Sequence, residues 1–455
     1  MKLPLGGVSM KKAMYSLLLV SFLVFGVIAS GCISSKTETG TTTVTVTKSV
    51  APEQNVLEIY HWWTAGGEKQ AIDAVFKKFK EKYPNIEIKA NPVSGGAGVN
   101  MKMVLQSLML AGKPPDTFQV HAGYEMSPYI KANQLTPIDD IWTDDMKKHY
   151  PQVIQQMVMF NGHYYAVPIN VHRANVVWYN KHIFEKYGID PNSIKNFDDL
   201  IKVAQELKSK GVTPFALGDR NKWPATHVFE VVMLSVGGVQ FYQDFINGKI
   251  TDPDNPTLKK VLEAYAEYLN YVNSDHAAKT WDEACGLVYK GDAAMTIMGD
   301  WANGYFKAKG WKPDVDYGAI VLPSNVYDLV IDTFVLPAKA AHPEAAKKWL
   351  SFIGTVEAQN TFNPIKGSIP ARDDAPLDPY GPIQKQFIKD LRSSSTKLVP
   401  SITHGSAVPP AFLSDLNDII STFVTNKNVD ETAKSIVNAV KQDLLPNKIK
   451  EWKLT

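Results

Sequence analysis

The strongest constraint on this chain is a change of hydrophobic period between residues 56 and 79. Val56, Glu58 and Tyr60 alternate with Leu57, Ile59 and His61, the two-residue repeat of a strand with mixed faces. After Gly66 and Gly67 the apolar positions fall at Ile72, Val75, Phe76 and Phe79, the i, i+3, i+4, i+7 spacing of a helix. A second strand pattern follows at Ile86–Ala90. Strand, helix and strand in that order open an α/β protein, whose ligands bind beyond the carboxyl ends of the strands. At that end stand Trp62 and Trp63, with Glu68 just past the glycine pair. Two large rings there call for a flat, partly apolar partner.

With 455 residues, 45% of them hydrophobic and 21% charged, the chain can bury more than one core. Its 48 basic and 46 acidic side chains nearly cancel, which argues against a nucleic-acid footprint. The cysteines, Cys32 and Cys285, are not expected to pair; Cys285 reads as a small buried hydrophobe.

Lys11-Lys12, the apolar run Ala13–Ile28 and Ala29-Ser30-Gly31-Cys32 have the order of a secretory leader. The small residues before Cys32 resemble a lipobox, so residues 1–31 read as signal peptide and Cys32 as the lipidated mature N-terminus. A retained transmembrane anchor is the alternative, although the run is short of the roughly 20 residues that span a bilayer. The Thr-rich stretch that follows reads as a tether over residues 32–55. Lipid, tether and body together place the protein at the extracellular face of the cell membrane.

Further along, Met101–Ala111 has a helical pattern and Thr117–Val120 a strand pattern that runs into His121. Gln119 and His121 thus lie at a strand's carboxyl end, as Trp62 and Trp63 do. Asn161-Gly162 predicts a tight turn between short strands. Tyr164–Asn180 is extended and too long for one ordinary strand, which predicts a crossing from one domain to another. Phe197–Lys210 and Leu262–Val272 read as helices. A helix bearing Ala284 and Val288 precedes a buried strand at Ala294–Met298, closed by Gly299-Asp300-Trp301. Tyr327–Pro337 looks like a return crossing, and Asp332 within its apolar run needs a partner or a ligand. Asn363–Arg372 reads as a loop, and helical patterns follow Pro343, Pro379, Phe412 and Val429. Trp223, in Asn-Lys-Trp-Pro, is assigned to a loop outside the site.

Trp62-Trp63 with Glu68, Asp116–His121, Ala166–His172, Met298-Gly-Asp-Trp301 and Lys366-Gly-Ser-Ile-Pro-Ala-Arg372 occur in this order. As a set they resemble the extracellular solute-binding proteins of ABC sugar importers, in particular the glucose-binding branch. The resemblance implies an α/β, two-lobe periplasmic-binding-protein-like (type II) fold with three interlobe crossings. Residues 56–169 and 332–372 would form lobe 1, and 170–331 and 373–455 lobe 2. It implies a monomer that takes a monosaccharide, glucose-like, between closing lobes and passes it to the membrane subunits of a permease. No nucleic acid, cofactor or metal is implied.

A pyranose has apolar faces and a rim of hydroxyls, suiting flat rings above and below and polar groups at the edge. By resemblance, Trp62, Trp63, His121, Trp281, Trp301 and His404 supply stacking and walls. Glu68 and Asp332 would accept from hydroxyls, Lys366 would donate, and Gln119 could do either. Bland readings stand beside these: Trp301 as core, Trp62 as core with Trp63 facing the site, and Lys366 as a solvated loop lysine. Two histidines on opposite sides of the sugar would leave room for one ring. A secreted carbohydrate enzyme is the rival, with Glu68, Asp300 and Asp332 as its only candidate carboxylates. No motif ties two of them to one site, and Gly-x-Ser-x-Gly, His-Glu-x-x-His and Walker patterns are absent.

Overall fold

The computed structural model describes residues 55–454. The predicted leader, Cys32 and nearly all of the tether lie outside the described residues. β1 (Val56–His61) and β2 (Glu87–Pro92) pair in parallel, joined by the helix Gly66–Lys82, which buries Ala71, Ile72, Val75 and Phe79. β3 (Thr117–His121) pairs in parallel on the other edge of β1. The hairpin β4 (Met159–Phe160) and β5 (His163–Tyr164) turns at Asn161-Gly162, both at positive φ.

The extended stretch after Tyr164 is not one strand. It breaks into β6 (Ala166–Pro168), β7 (His172–Arg173) and β8 (Val176–Asn180), each in a different sheet. β9 (Thr213–Phe215), β10 (Ala293–Ile297) and β11 (Tyr317–Val321) follow. The stretch Tyr327–Pro337 likewise divides at Ile331 into β12 (Val326–Val330) and β13 (Asp332–Val335). The last strand is β14 (Lys397–Pro400).

Three main sheets result. The first has the order β2-β1-β3-β13-β6 and packs into one apolar cluster; the second, β11-β8-β10-β9, lies between that cluster, which takes Val176, Trp178, Ala293 and Tyr317, and another that takes Val177, Ala294, Met295 and Ile297. Between them lies a small sheet, β14-β12-β7, made from the strands that pass from one side to the other. The molecule is thus α/β and two-lobed, with its connecting strands hydrogen-bonded to one another. Their backbone groups are paired with each other, which lets the connections be buried.

Two local expectations change. The helix Val356–Lys366 continues into the stretch read as a loop, despite Pro364, and stops at Gly367 with φ +99°. The Asn363 amide donates to Gln359 O and Ile169 O at 3.0 Å, tying the helix end into the first lobe. Trp223 is no loop residue; it begins the helix Trp223–Val232, with Pro224 in the first turn, where its missing N–H costs nothing. Cys285 is free and fully buried, and burial pushes its thiol well above the ordinary range.

Candidate functional site

His121 ends β3 and Asp332 begins β13, and the two are register partners across the antiparallel pair. Sheet geometry alone therefore puts both on one face, where a cavity opens between the lobes. Asp332 is buried and accepts from Gln119 Nε2 (3.0 Å), Asn170 Nδ2 (2.8 Å) and His172 Nε2 (3.0 Å). Burial works against its charge, but the bond and charge of His172, with His121 and Lys366, hold its carboxyl well below the ordinary value. Most of its acceptor capacity is already used inside the protein. Burial likewise disfavours the imidazolium of His172, yet Asp300 on Nδ1 and Asp332 on Nε2 raise its pKa.

Gln119 does not line the cavity. Its Oε1 accepts from Trp62 N at 3.1 Å while its amide holds Asp332, so it fixes two wall residues from behind. On the opposite flank His121 Nδ1 meets the buried Glu125 Oε2 at 2.8 Å, and that carboxylate also takes Lys102 at 2.9 Å. Burial raises the Glu125 pKa, but Lys102 and His121 outweigh it and the net shift is downward.

Glu68, Trp301 and Lys366 come together because three helices meet on glycine. A Cβ on Gly67 would lie 2.6 Å from Gly304 O, and one on Gly304 would lie 2.2 Å from Lys366 O. With no side chains there, Lys366 Nζ reaches Glu68 Oε1 at 2.8 Å and lies 5.8 Å from the Trp301 ring. Lys366 is buried, not solvated. Burial raises the Glu68 pKa and Lys366 counters it only in part.

The rest of the wall is aromatic. Trp223, Trp281 and Trp301 are each the first residue of a helix. Their rings, with Trp62, Trp63 and His404, surround the cavity. Helix N-termini present unpaired N–H groups and partial positive charge, which suits hydroxyl oxygens. Trp301 packs 5.0 Å from His404, 5.2 Å from His172 and 6.2 Å from Trp223, so it is core and wall at once. Trp62 packs 4.8 Å from His121, whereas Trp63 is wedged between Phe362 and Phe334. Both line the cavity, and Trp63, the one expected to face the site, is the more deeply packed. The chain leaves the sheet after His61, so the two-residue repeat no longer sets which way these rings point.

His121 and His404 meet edge to face at 5.4 Å and form one corner, not two opposing faces. Backbone bonds Tyr124 N to Ser406 O (3.1 Å) and Glu125 N to Gly405 O (2.8 Å) draw their loops together. His404 Nε2 also lies 3.4 Å from His227 Nδ1. Burial lowers the pKa of His227 to about 3 and, with neighbouring histidines, that of His404 well below its ordinary value.

Nine of the ten residues singled out from sequence thus surround one cavity, Gln119 standing behind it. Sequence reading missed Trp223, His172, Val330, Gly96 and Ala97 as lining residues. Trp223 carried a usable signal, a tryptophan-proline pair followed by eight residues without a breaker.

Two lobes around a cavity walled by rings and polar groups have the form of a solute receptor. The sequence profile of the family described as bacterial extracellular solute-binding proteins matches residues 65–360, and the chain belongs to that family. It is 75% identical, over 98% of its length and all of the relative's, to a Pyrococcus horikoshii protein described as an uncharacterized ABC transporter extracellular-binding protein. It is 31% identical, over 86% of its length and 94% of the relative's, to a probable sugar-binding periplasmic protein of Mesorhizobium japonicum. Among solved structures it matches a bacterial solute receptor described as preferring β-D-galactopyranose, with TM-score 0.75 and 22% identity, covering 85% of this chain and 99% of that one. The two-lobe reading is borne out, and the family is one of binding proteins, not enzymes.

Proposed function

We propose that this protein is the substrate-binding component of an ABC sugar importer, that it captures a monosaccharide, glucose-like, between its lobes, and that it delivers the sugar to a membrane permease. The observation that carries this reading is the cavity itself. Its walls pair tryptophan and histidine rings with the Glu68–Lys366 couple. Rings cover the apolar faces of one pyranose, and the charged couple and the unpartnered indole N–H groups of Trp63 and Trp223 meet its hydroxyls. The sugar-binding description of the Mesorhizobium relative supports the substrate class. Within this reading residues 56–169 and 332–372 form one lobe and 170–331 and 373–455 the other. A monomer tethered by a lipid on Cys32 holds the receptor at the outer face of the membrane.

Ligand that binds only the folded protein raises its melting temperature by mass action. Thermal unfolding with a panel of hexoses, pentoses and longer sugars therefore tests the proposal. A monosaccharide is expected to raise Tm in a concentration-dependent way. Stabilisation by trisaccharides and longer sugars alone contradicts the monosaccharide reading, and stabilisation by no sugar contradicts the substrate class.

A further inference from the structure

The turn Ser94–Gly98, between β2 and the helix Val99–Leu110, has no counterpart in the features that define the fold. Gly95, Ala97 and Gly98 all have positive φ, +133°, +53° and +70°. Such a run is strained for any chain and tolerable here because two of the three are glycine. Asn100 Nδ2 holds it by donating to Ser94 O at 2.6 Å.

The reason for glycine lies in what the turn touches. A Cβ on Gly98 would stand 2.6 Å from the ring of Trp62. A Cβ on Gly96 would stand 2.9 Å from Trp223 Cζ2 and 2.9 Å from Trp281 Cδ1. Trp62 belongs to the first lobe, Trp223 and Trp281 to helices of the second. The bare backbone of Gly96 is therefore a surface on which the two lobes meet.

The same atom group divides space. On its inner side lies the ring-walled cavity described above. On its outer side lies a second, larger cavity of about 290 Å³, lined by polar side chains including Arg220, Asn221, Thr280 and Asp282. Trp62, Glu68, Gly96 and Trp281 line both. The outer cavity is wide enough for another sugar unit and has the polar lining to suit one; Arg220 Nη1 makes only a 3.5 Å contact, to Ala278 O. Of the four residues shared by the two cavities, Gly96 is the one the turn supplies.

We propose that the Gly95–Gly98 turn is the specificity determinant of this site: with Gly96 lying between Trp223 and Trp281 it closes the inner cavity against the outer one and limits the ligand to a single ring. The proposal rests on the sugar-binding reading above and adds the element that sets ligand length. It accounts for glycine at 96, where φ makes no demand and only the close approach of two indoles does. A methyl group there would have to displace both rings before the lobes could close.

Calorimetric titration of the full chain with glucose, galactose, mannose, maltose, cellobiose and lactose tests this, in the wild type, in Gly96→Ala and in a variant lacking Gly96 and Ala97. The wild type is expected to bind a hexose at least about 100-fold more tightly than any disaccharide. Gly96→Ala is expected to lose at least about tenfold in hexose affinity, with the Tm of the unliganded protein unchanged within about 2 °C. The shortened turn is expected to gain at least about tenfold in disaccharide affinity while still binding the hexose. Hexose binding by Gly96→Ala equal to the wild type overturns the proposal, whether or not the shortened variant folds. So does a wild type that binds disaccharides as tightly as hexoses, which leaves the sugar-binding reading standing. A wild type that binds none of the six sugars overturns both.

Discussion

Lys366 and Glu68 show how much of this site depends on single contacts. The lysine is buried, and its bond to Glu68 is the only side-chain hydrogen bond it makes among the described residues. Lys366→Met keeps the length of the side chain and removes the charge. It is expected to weaken sugar binding about ten- to 100-fold, the worth of a charge-assisted hydrogen bond at ~1.5–3 kcal/mol, measured by calorimetry. The histidines give a pH signature. His227 has its folded pKa lowered to about 3 by burial, so the unfolded chain binds a proton that the folded one does not. Its contribution to stability is present above about 6.5, the ordinary histidine value, and is lost progressively as pH falls toward the folded pKa. The raised pKa of His172 acts the other way, stabilising below the ordinary value and fading as pH rises. His227→Gln is therefore expected to lose less Tm than the wild type between pH 7 and about pH 4.5, followed by thermal unfolding.

At the scale of elements, the glycine junction of three helices does the assembling. Gly304 needs no special φ, so its role is steric. Gly304→Ala would push its methyl group into the Lys366 carbonyl and separate the helices that carry Trp301 and Lys366. The expected cost is about 1–3 kcal/mol in denaturant unfolding, with sugar affinity falling alongside. Contacts of this kind mark the limit of what sequence shows. The strand at Val56–His61 and the helix after it were legible because their period is local, as was the helix at Phe197. Asp332 was legible as a carboxylate in an apolar run that had to find partners, and it finds Gln119, Asn170 and His172. Gly67, Gly96 and Gly304 carry no such signal. Each is glycine because of a backbone or ring far along the chain, and only the assembled fold brings that neighbour near. Asn363–Lys366 was misread for a similar reason: proline and glycine signalled a loop, while the tertiary bonds of Asn363 keep the helix going.

The whole molecule is two main sheets joined through strands that pair in a small third sheet. Rigid lobes on a narrow connection can move as bodies, and a ligand that touches both favours the closed arrangement by its difference in affinity for the two states. Segments of both main sheets supply the cavity: His121 and Asp332 lie on strands of the first, and Trp281 and Trp301 begin the helices on either side of β10 in the second. Small-angle scattering is accordingly expected to show a smaller radius of gyration when a binding sugar is added, and an unchanged radius would count against closure. Five tryptophans line the cavity, so their emission reports occupancy directly. Closure of this cavity on one sugar ring is checked by a tryptophan-fluorescence titration with monosaccharides and longer sugars. Saturable quenching or shift with a monosaccharide, abolished in Lys366→Met at the same concentration, is the expected result. No response to any monosaccharide alongside saturation by a longer sugar would contradict it.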